Sequence, residues 1–237
     1  MPKNDGDRFY DLCLHAYPEG SSTVSRLALL ARQYGYSGIG VTNSQDFFSS
    51  VKDQYVPSEE FSVVQGVEIH ARDGNDLRKM VDRFRSRAIV LTVFGGEEGI
   101  NRAACEDDRI DILLHPQDSK TSGINHILAR LAADKHIAIG FDLAPIICGK
   151  GGSRVRILSN YRTNLALVKK YGTPFVLTSG AMSVYDIRDV RSMIALVRLF
   201  GMSEEDAIKG LSYYPSQILR RNTPGSGYVM EGVEIVE

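Results

Sequence analysis

Residues 110–143 read IDILLHPQDSKTSGINHILARLAADKHIAIGFDL. Two short apolar runs, IDILLHP (110–116) and IAIGFDL (137–143), flank a stretch near 123–135 with helical spacing of its apolar residues. Runs that are apolar at nearly every position suit strands covered on both faces, as in a parallel sheet. Parallel neighbours need a long crossover, and a helix of this length supplies one. The segment is therefore read as one strand–helix–strand unit.

The same unit repeats outward in both directions. Towards the N-terminus lie FYDLCLH (9–15), SGIGVT (37–42), FSVVQGVEIHA (61–71) and AIVLTVF (88–94), and towards the C-terminus PFVLTS (174–179). Helical patterns fall near 22–35, 75–86, 97–107, 153–171, 186–200 and 203–221, with a shorter helix and a loop expected in 43–60. Ser203 followed by Asp206 marks a helix start, and Gly172 after LVKKY marks a helix end. Seven strands in strict alternation with helices point to an α/β, TIM-barrel-like parallel barrel. An open doubly wound sheet is the competitor, but no GxGxxG follows the first strand. No linker divides the chain, so 1–222 is read as one barrel domain and 223–237 as a flexible or docking tail.

Composition narrows the function classes. The 237 residues are 43% hydrophobic and 24% charged, ordinary for a globular protein. No run of about 18 apolar residues suggests a membrane span, and the N-terminus lacks the apolar core of a signal peptide. Three scattered cysteines, without a CxxC pair, fit a reducing cytoplasm better than a disulfide framework or zinc ribbon.

In a barrel of this kind the chemistry gathers at the C-terminal strand ends. There the sequence places His15, Thr42 with Asn43, Glu68 with His70, Thr92, His115, Asp142, and Thr178 with Ser179. His15, Glu68 and His115 together could meet a zinc or manganese ion. Asp11, Cys13 and His15 alternate and so share one side of the first strand, Cys13 reading as a small buried hydrophobe.

This arrangement resembles the polymerase-and-histidinol-phosphatase (PHP) metal-dependent phosphoesterases. That family's pattern implies His-x-His after the first strand, Asp-His after the second, Glu after the third, a further His, and Asp-x-His near the end. Glu68 and His115 match, but Cys13 stands for the first His, Asn43 and Ser44 for Asp-His, and Gly180 and Met182 for the last motif. A hydrolytic metal centre needs several charged ligands, so His15, Glu68 and His115 are read as vestiges, and a divergent phosphoesterase is the alternative function.

A closer resemblance spans FYDLCLHA to YPSQILRRN. Its residues are YDLCLHA, ALLARQYGYSGIGVTN, VVQGVEIHA, DILLHP, IAIGFDLAPI, SRVRILSNYRTNLALVKKYGTPFVLTSGA and MSEEDAIKGLSYYPSQIL. They resemble the ribonuclease P protein component 3 family. That resemblance implies a barrel without independent catalysis, serving a ribonucleoprotein that removes the 5′ leader of precursor tRNA. It implies as partners the ribonuclease P RNA, precursor tRNA, the component 2 protein and other protein subunits. Magnesium on the RNA would carry the chemistry, with no cofactor in the chain itself.

The charge distribution permits an RNA partner, the alternative being solvated helix faces with nothing bound. The net charge is −1, yet no acid lies between Asp142 and Asp186, where Lys150, Arg154, Arg156, Arg162, Lys169 and Lys170 fall. In CGKGGSRVRILSNYRTN (148–164), a glycine loop carrying Lys150 leads into a helix start with Arg154 and Arg156, which suits a phosphate. The spacing is not that of a Walker A loop, and a phosphosugar enzyme built on it lacks an acid–base pair. A second basic zone, RKMVDRFRSR (78–87), offers Arg83, Arg85 and Arg87. Phe47 and Phe48 after the second strand suit either helix packing or a protein interface, and the latter is the assignment taken.

Overall fold

A computed structural model describes residues 8–48, 55, 61–117, 121–223, 228–230 and 233–234. The barrel sheet has seven strands: β1 (Tyr10–Leu14), β2 (Gly38–Val41), β3 (Ser62–Ile69), β4 (Val90–Phe94), β5 (Ile112–Leu114), β6 (Ala138–Asp142) and β7 (Phe175–Thr178). They pair in chain order, each parallel to the next, as repeated strand–helix units require. The result is a nearly closed TIM-barrel-like fold with its helices outside.

The helices are α1 (Val24–Gln33), α2 (Gly74–Phe84), α3 (Glu98–Glu106), α4 (His126–Asp134), α5 (Ala144–Cys148), α6 (Gly151–Tyr171), α7 (Val190–Val197), α8 (Glu204–Ile208) and α9 (Tyr214–Asn222). Gly172 ends α6 at a left-handed φ of 67°, and Ser203 Oγ accepts from the Asp206 N–H at 3.1 Å to start α8, both as the sequence implies. A π-helical stretch, Lys209–Tyr213, links α8 to α9, so the expected helix over 203–221 carries one wide turn. In the 43–60 region a 3₁₀ turn spans Gln45–Phe47, and most of the remainder lies outside the described residues. Within the expected 223–237 tail, Tyr228–Met230 and Val233–Glu234 pair antiparallel, where the sequence suggested only loop.

Side chains alternate about the sheet, giving an inner and an outer apolar layer. Leu12, Val90, Ile112, Leu114, Ala138 and Val176 fill the barrel, and Ile218 of α9 closes its lower end. Leu12 and Cys13 both reach this inner cluster, because the β1–β2 register shifts between Asp11 and Leu14. The expected alternation of Asp11, Cys13 and His15 is broken by that irregularity.

The β1–β7 seam is fastened by side chains. The fully buried Asp11 carboxylate accepts from the hydroxyls of Thr178 and Ser179, each at 2.6 Å, and from the Ser179 N–H at 2.9 Å. Above it the His15 N–H donates to the Ala181 carbonyl at 2.9 Å. Burial pushes the Asp11 carboxyl up, against the opposing pull of these hydrogen bonds.

The lower rim is held by a second buried acid. Asp111, 1% exposed, receives Arg85 at 2.7 Å, Arg221 at 2.7 Å, the Asn222 amide at 2.7 Å and the Leu91 N–H at 2.8 Å. Arg85 also donates to the carbonyls of Ala88, Ile89 and Arg109. One carboxylate thus ties the end of α2, the starts of β4 and β5, and the end of α9 together.

Candidate functional site

The C-terminal mouth of the barrel carries three imidazole–carboxylate pairs. His15 Nδ1 lies 3.1 Å from Glu19, His70 Nε2 lies 2.8 Å from Glu68, and His115 Nε2 lies 3.1 Å from Asp142. Phe94 joins two of them, its ring stacked on His70 at 4.7 Å and tilted against His115 at 4.8 Å. The backbone holds the acids in place: the Ser44 N–H donates to Glu19 at 2.8 Å and the Ala144 N–H to Asp142 at 2.8 Å.

Burial disfavours the charged form of both His15 and His115, but their carboxylate neighbours outweigh it, so both imidazoles titrate above the usual histidine range. Glu19 is pulled down by the His15 bond and the Ser44 N–H, against a desolvation effect of opposite sign. The sign follows directly. A raised histidine stabilises the fold fully below about pH 6.5 and loses that contribution as pH rises through its folded value. Glu19 contributes above the ordinary glutamate range and loses this as pH falls through its lowered value. The expected result is a higher melting midpoint near pH 6 than near pH 8.5, a difference that shrinks in the His15→Gln, His115→Gln double variant. A midpoint that rises with pH across this interval would contradict the pairing.

His15, Glu68 and His115 do share the mouth, yet each faces a partner of opposite charge type. Among the described residues no three His, Cys, Asp or Glu side chains converge on a position where a metal ion could sit. Glu19 is the member that the sequence reading missed. Its signal was its place four residues after His15 in HAYPEG.

The basic zones separate into anchored and outward-facing residues. In α6, residues 151–156 are all exposed, while Tyr161, Leu165 and Val168 are buried further along. The helix therefore begins as an overhang, and Gly151 and Gly152 sit in its first turn and not in the expected loop. Arg154 donates to the Ile147 carbonyl at 3.2 Å, and Arg156 is exposed. Lys150, the N-cap residue, is exposed too, and Arg162 donates to the Leu199 carbonyl at 2.9 Å.

At the second zone, Arg85 is held by Asp111 and three carbonyls, so its guanidinium is structural in the first place. Arg87 lies over the Phe48 ring at 4.7 Å and Arg83 over Phe84 at 5.0 Å. Phe48 packs on Phe84 at 5.2 Å and joins the outer core, whereas Phe47 is 45% exposed. The phenylalanine pair expected at an interface is thus divided, with Phe48 in the barrel wall and Phe47 outward.

Residues 8–224 match the family model described as RNase P subunit p30. The "Ribonuclease P protein component 3" of Methanosarcina barkeri (strain Fusaro / DSM 804) is 42% identical over 230 residues, covering 97% of this chain and 96% of the relative. The chain belongs to the RNase P subunit p30 family.

A solved chain from the cryo-EM structure of archaeal ribonuclease P with mature tRNA superposes with a TM-score of 0.80 at 28% identity, covering 96% of this chain and 98% of that one. Histidinol phosphate phosphatase from Lactococcus lactis, with zinc, L-histidinol and phosphate, shares the barrel at a TM-score of 0.55 and 14% identity, covering 82% of this chain and 94% of that one.

At the positions where the sequence resembles the phosphoesterase pattern, the p30 chain's residues have other uses. Cys13 is buried in the inner cluster, and burial pushes its thiol well up, the reverse of what a thiolate ligand needs. Asn43 is a backbone clasp, accepting from the Ala16 N–H at 2.8 Å and donating to the Ala16 carbonyl at 2.9 Å. Gly180 has a left-handed φ of 56°, and a Cβ there would collide with the Asp142 carboxylate. A ligand side chain at 180 would displace the Asp142 carboxylate from His115 and the Ala144 N–H. The residues of this mouth do not fit a hydrolytic metal centre.

Proposed function

We propose that this chain is a noncatalytic protein subunit of ribonuclease P, assisting its RNA in removing the 5′ leader from precursor tRNA. The observation that carries the reading is the near end-to-end superposition on a chain of the archaeal enzyme. The mouth agrees with it: its acids Glu19, Glu68 and Asp142 are each held against a histidine. Its partners are the ribonuclease P RNA, precursor tRNA, the component 2 protein and further protein subunits. Magnesium bound to the RNA supplies the hydrolytic chemistry, and the chain supplies positive charge that lowers the magnesium demand of the folded RNA. It works in the cytoplasm; no helix among the described residues is long and apolar enough to cross a membrane.

Lys150, Arg154 and Arg156 at the α6 overhang and Arg162 further along that helix, with Arg83 and Arg87 on the α2 side, form the RNA-facing set, and Arg85 sets the frame beneath them. Phe47 belongs to the protein interface. The separating experiment incubates the purified chain alone with precursor tRNA and magnesium, manganese or zinc. No cleavage is expected with any metal. Cleavage that disappears in His115→Ala would restore the metal-dependent phosphoesterase.

A further inference from the structure

The lower end of the barrel holds a cleft remote from both the histidine mouth and the α6 overhang. Its volume is about 280 Å³, and His136, Pro174, Tyr213, Tyr214, Gln217 and Arg220 line it, with Arg221 and Ile218 at its base. The π-helical turn Lys209–Tyr213 shapes it. Successive helical residues point about 100° apart, so one tyrosine can face inward while its neighbour faces out. Here Tyr214 packs inward on Phe175 at 4.9 Å, while Tyr213 stands 56% exposed, its ring in a T-shaped contact with Tyr214 at 5.2 Å. Such π turns recur at functional sites.

We propose that this cleft binds an unpaired nucleobase of RNA, stacked on Tyr213; the inference rests on the RNA-subunit reading and assigns that reading a second contact. Tyr213 supplies an exposed aromatic face, and Pro174 a flat apolar wall. Gln217, four residues on and exposed, offers one amide with both donor and acceptor for a base edge. Arg220 and Arg221 follow at the next turn, so aromatic, amide and cations lie along one helix face. Arg221 is already oriented, donating to Asp111 at 2.7 Å and to the His136 carbonyl at 3.4 Å. No acidic residue lines the cleft among the described residues. An aromatic with a hydrogen-bonding amide and a basic border is how proteins hold splayed-out RNA bases, and a paired helix cannot offer such a base.

The chain contains no tryptophan, so Tyr213→Trp creates a single fluorescent reporter in the cleft. The probes are an end-labelled ten-nucleotide oligoadenylate, single-stranded, and the same strand annealed to its complement. Anisotropy of the label reports binding anywhere on the chain, and tryptophan quenching reports stacking at this position. The expected result is quenching that saturates together with anisotropy for the single strand and is absent for the duplex. Gln217→Ala in the same background should shift the quenching midpoint several-fold. Tyr213→Ala should weaken single-strand binding about fivefold or more, the low end of one base–aromatic stack, with the melting midpoint and duplex binding unchanged. Anisotropy that rises without quenching would overturn the cleft while leaving RNA binding elsewhere intact. Equal quenching by the duplex would also overturn it. Absence of any binding would remove both the cleft and the RNA reading beneath it.

Discussion

Replacing Asp111 with alanine is expected to lower the stability of the fold by about 3–5 kcal/mol, the cost of removing one partner from a buried charged group. The magnitude follows from what is left behind. Arg85 and Arg221 lose their shared carboxylate, and the Leu91 N–H and the Asn222 amide lose an acceptor. Arg85 retains the carbonyls of Ala88, Ile89 and Arg109, which hold it in place, so the unpaired charge cannot simply swing into water. For a chain of this length the midpoint should fall by about 6–20 °C, at roughly 2–4 °C per kcal/mol. Asp111→Asn keeps an acceptor and should fall between the two. Thermal unfolding followed by circular dichroism measures both, and a loss near the ordinary surface value would show that the network is not holding α2 and α9 to the barrel.

The second large effect is on RNA. Arg154→Glu with Arg156→Glu should weaken affinity for the cognate ribonuclease P RNA by about tenfold or more, ~1.4 kcal/mol at least. Both residues are exposed on an overhanging turn without an acid nearby in sequence, so reversal replaces attraction by repulsion in an otherwise positive field. Each lost phosphate contact should also lower the slope of log affinity against log salt by about 0.7–0.9. Stability should stay within about 0.5 kcal/mol, as for surface changes generally. Filter binding across a salt series gives both numbers. An unchanged slope would remove α6 from the RNA-facing set, whatever becomes of the other zone.

The barrel was legible because seven strands each announce themselves as a short apolar run, and each crossover has its own helical period. Those signals are local. The α5 helix went unread because LAPIIC continues the apolar run of β6, and only the backbone after Asp142 shows where the strand stops. The π turn is likewise silent in sequence, since Lys209–Tyr213 has the spacing of ordinary helix.

Contacts between distant residues were the harder part. Arg85 sits among basic residues and reads as surface, but its partner Asp111 lies 26 positions away, just before β5. Phe48 reads as half of an exposed pair until Phe84 and Arg87 are brought beside it. At the mouth, sequence located His15, Glu68, His115 and Asp142 at their strand ends, because strand ends are legible. It did not show that each acid is held against an imidazole. That pairing leaves Glu19, Glu68 and Asp142 each with an imidazole partner at the mouth.

On the proposed function, this barrel helps an RNA to cut and does not cut by itself. The measurement is precursor tRNA cleavage by the cognate RNA subunit with component 2 at limiting magnesium, with this chain added or omitted. A clear gain in 5′-leader removal on addition, with no cleavage by the proteins without RNA, is the expected result. No gain with correctly folded RNA, or cleavage by the proteins alone, would contradict it.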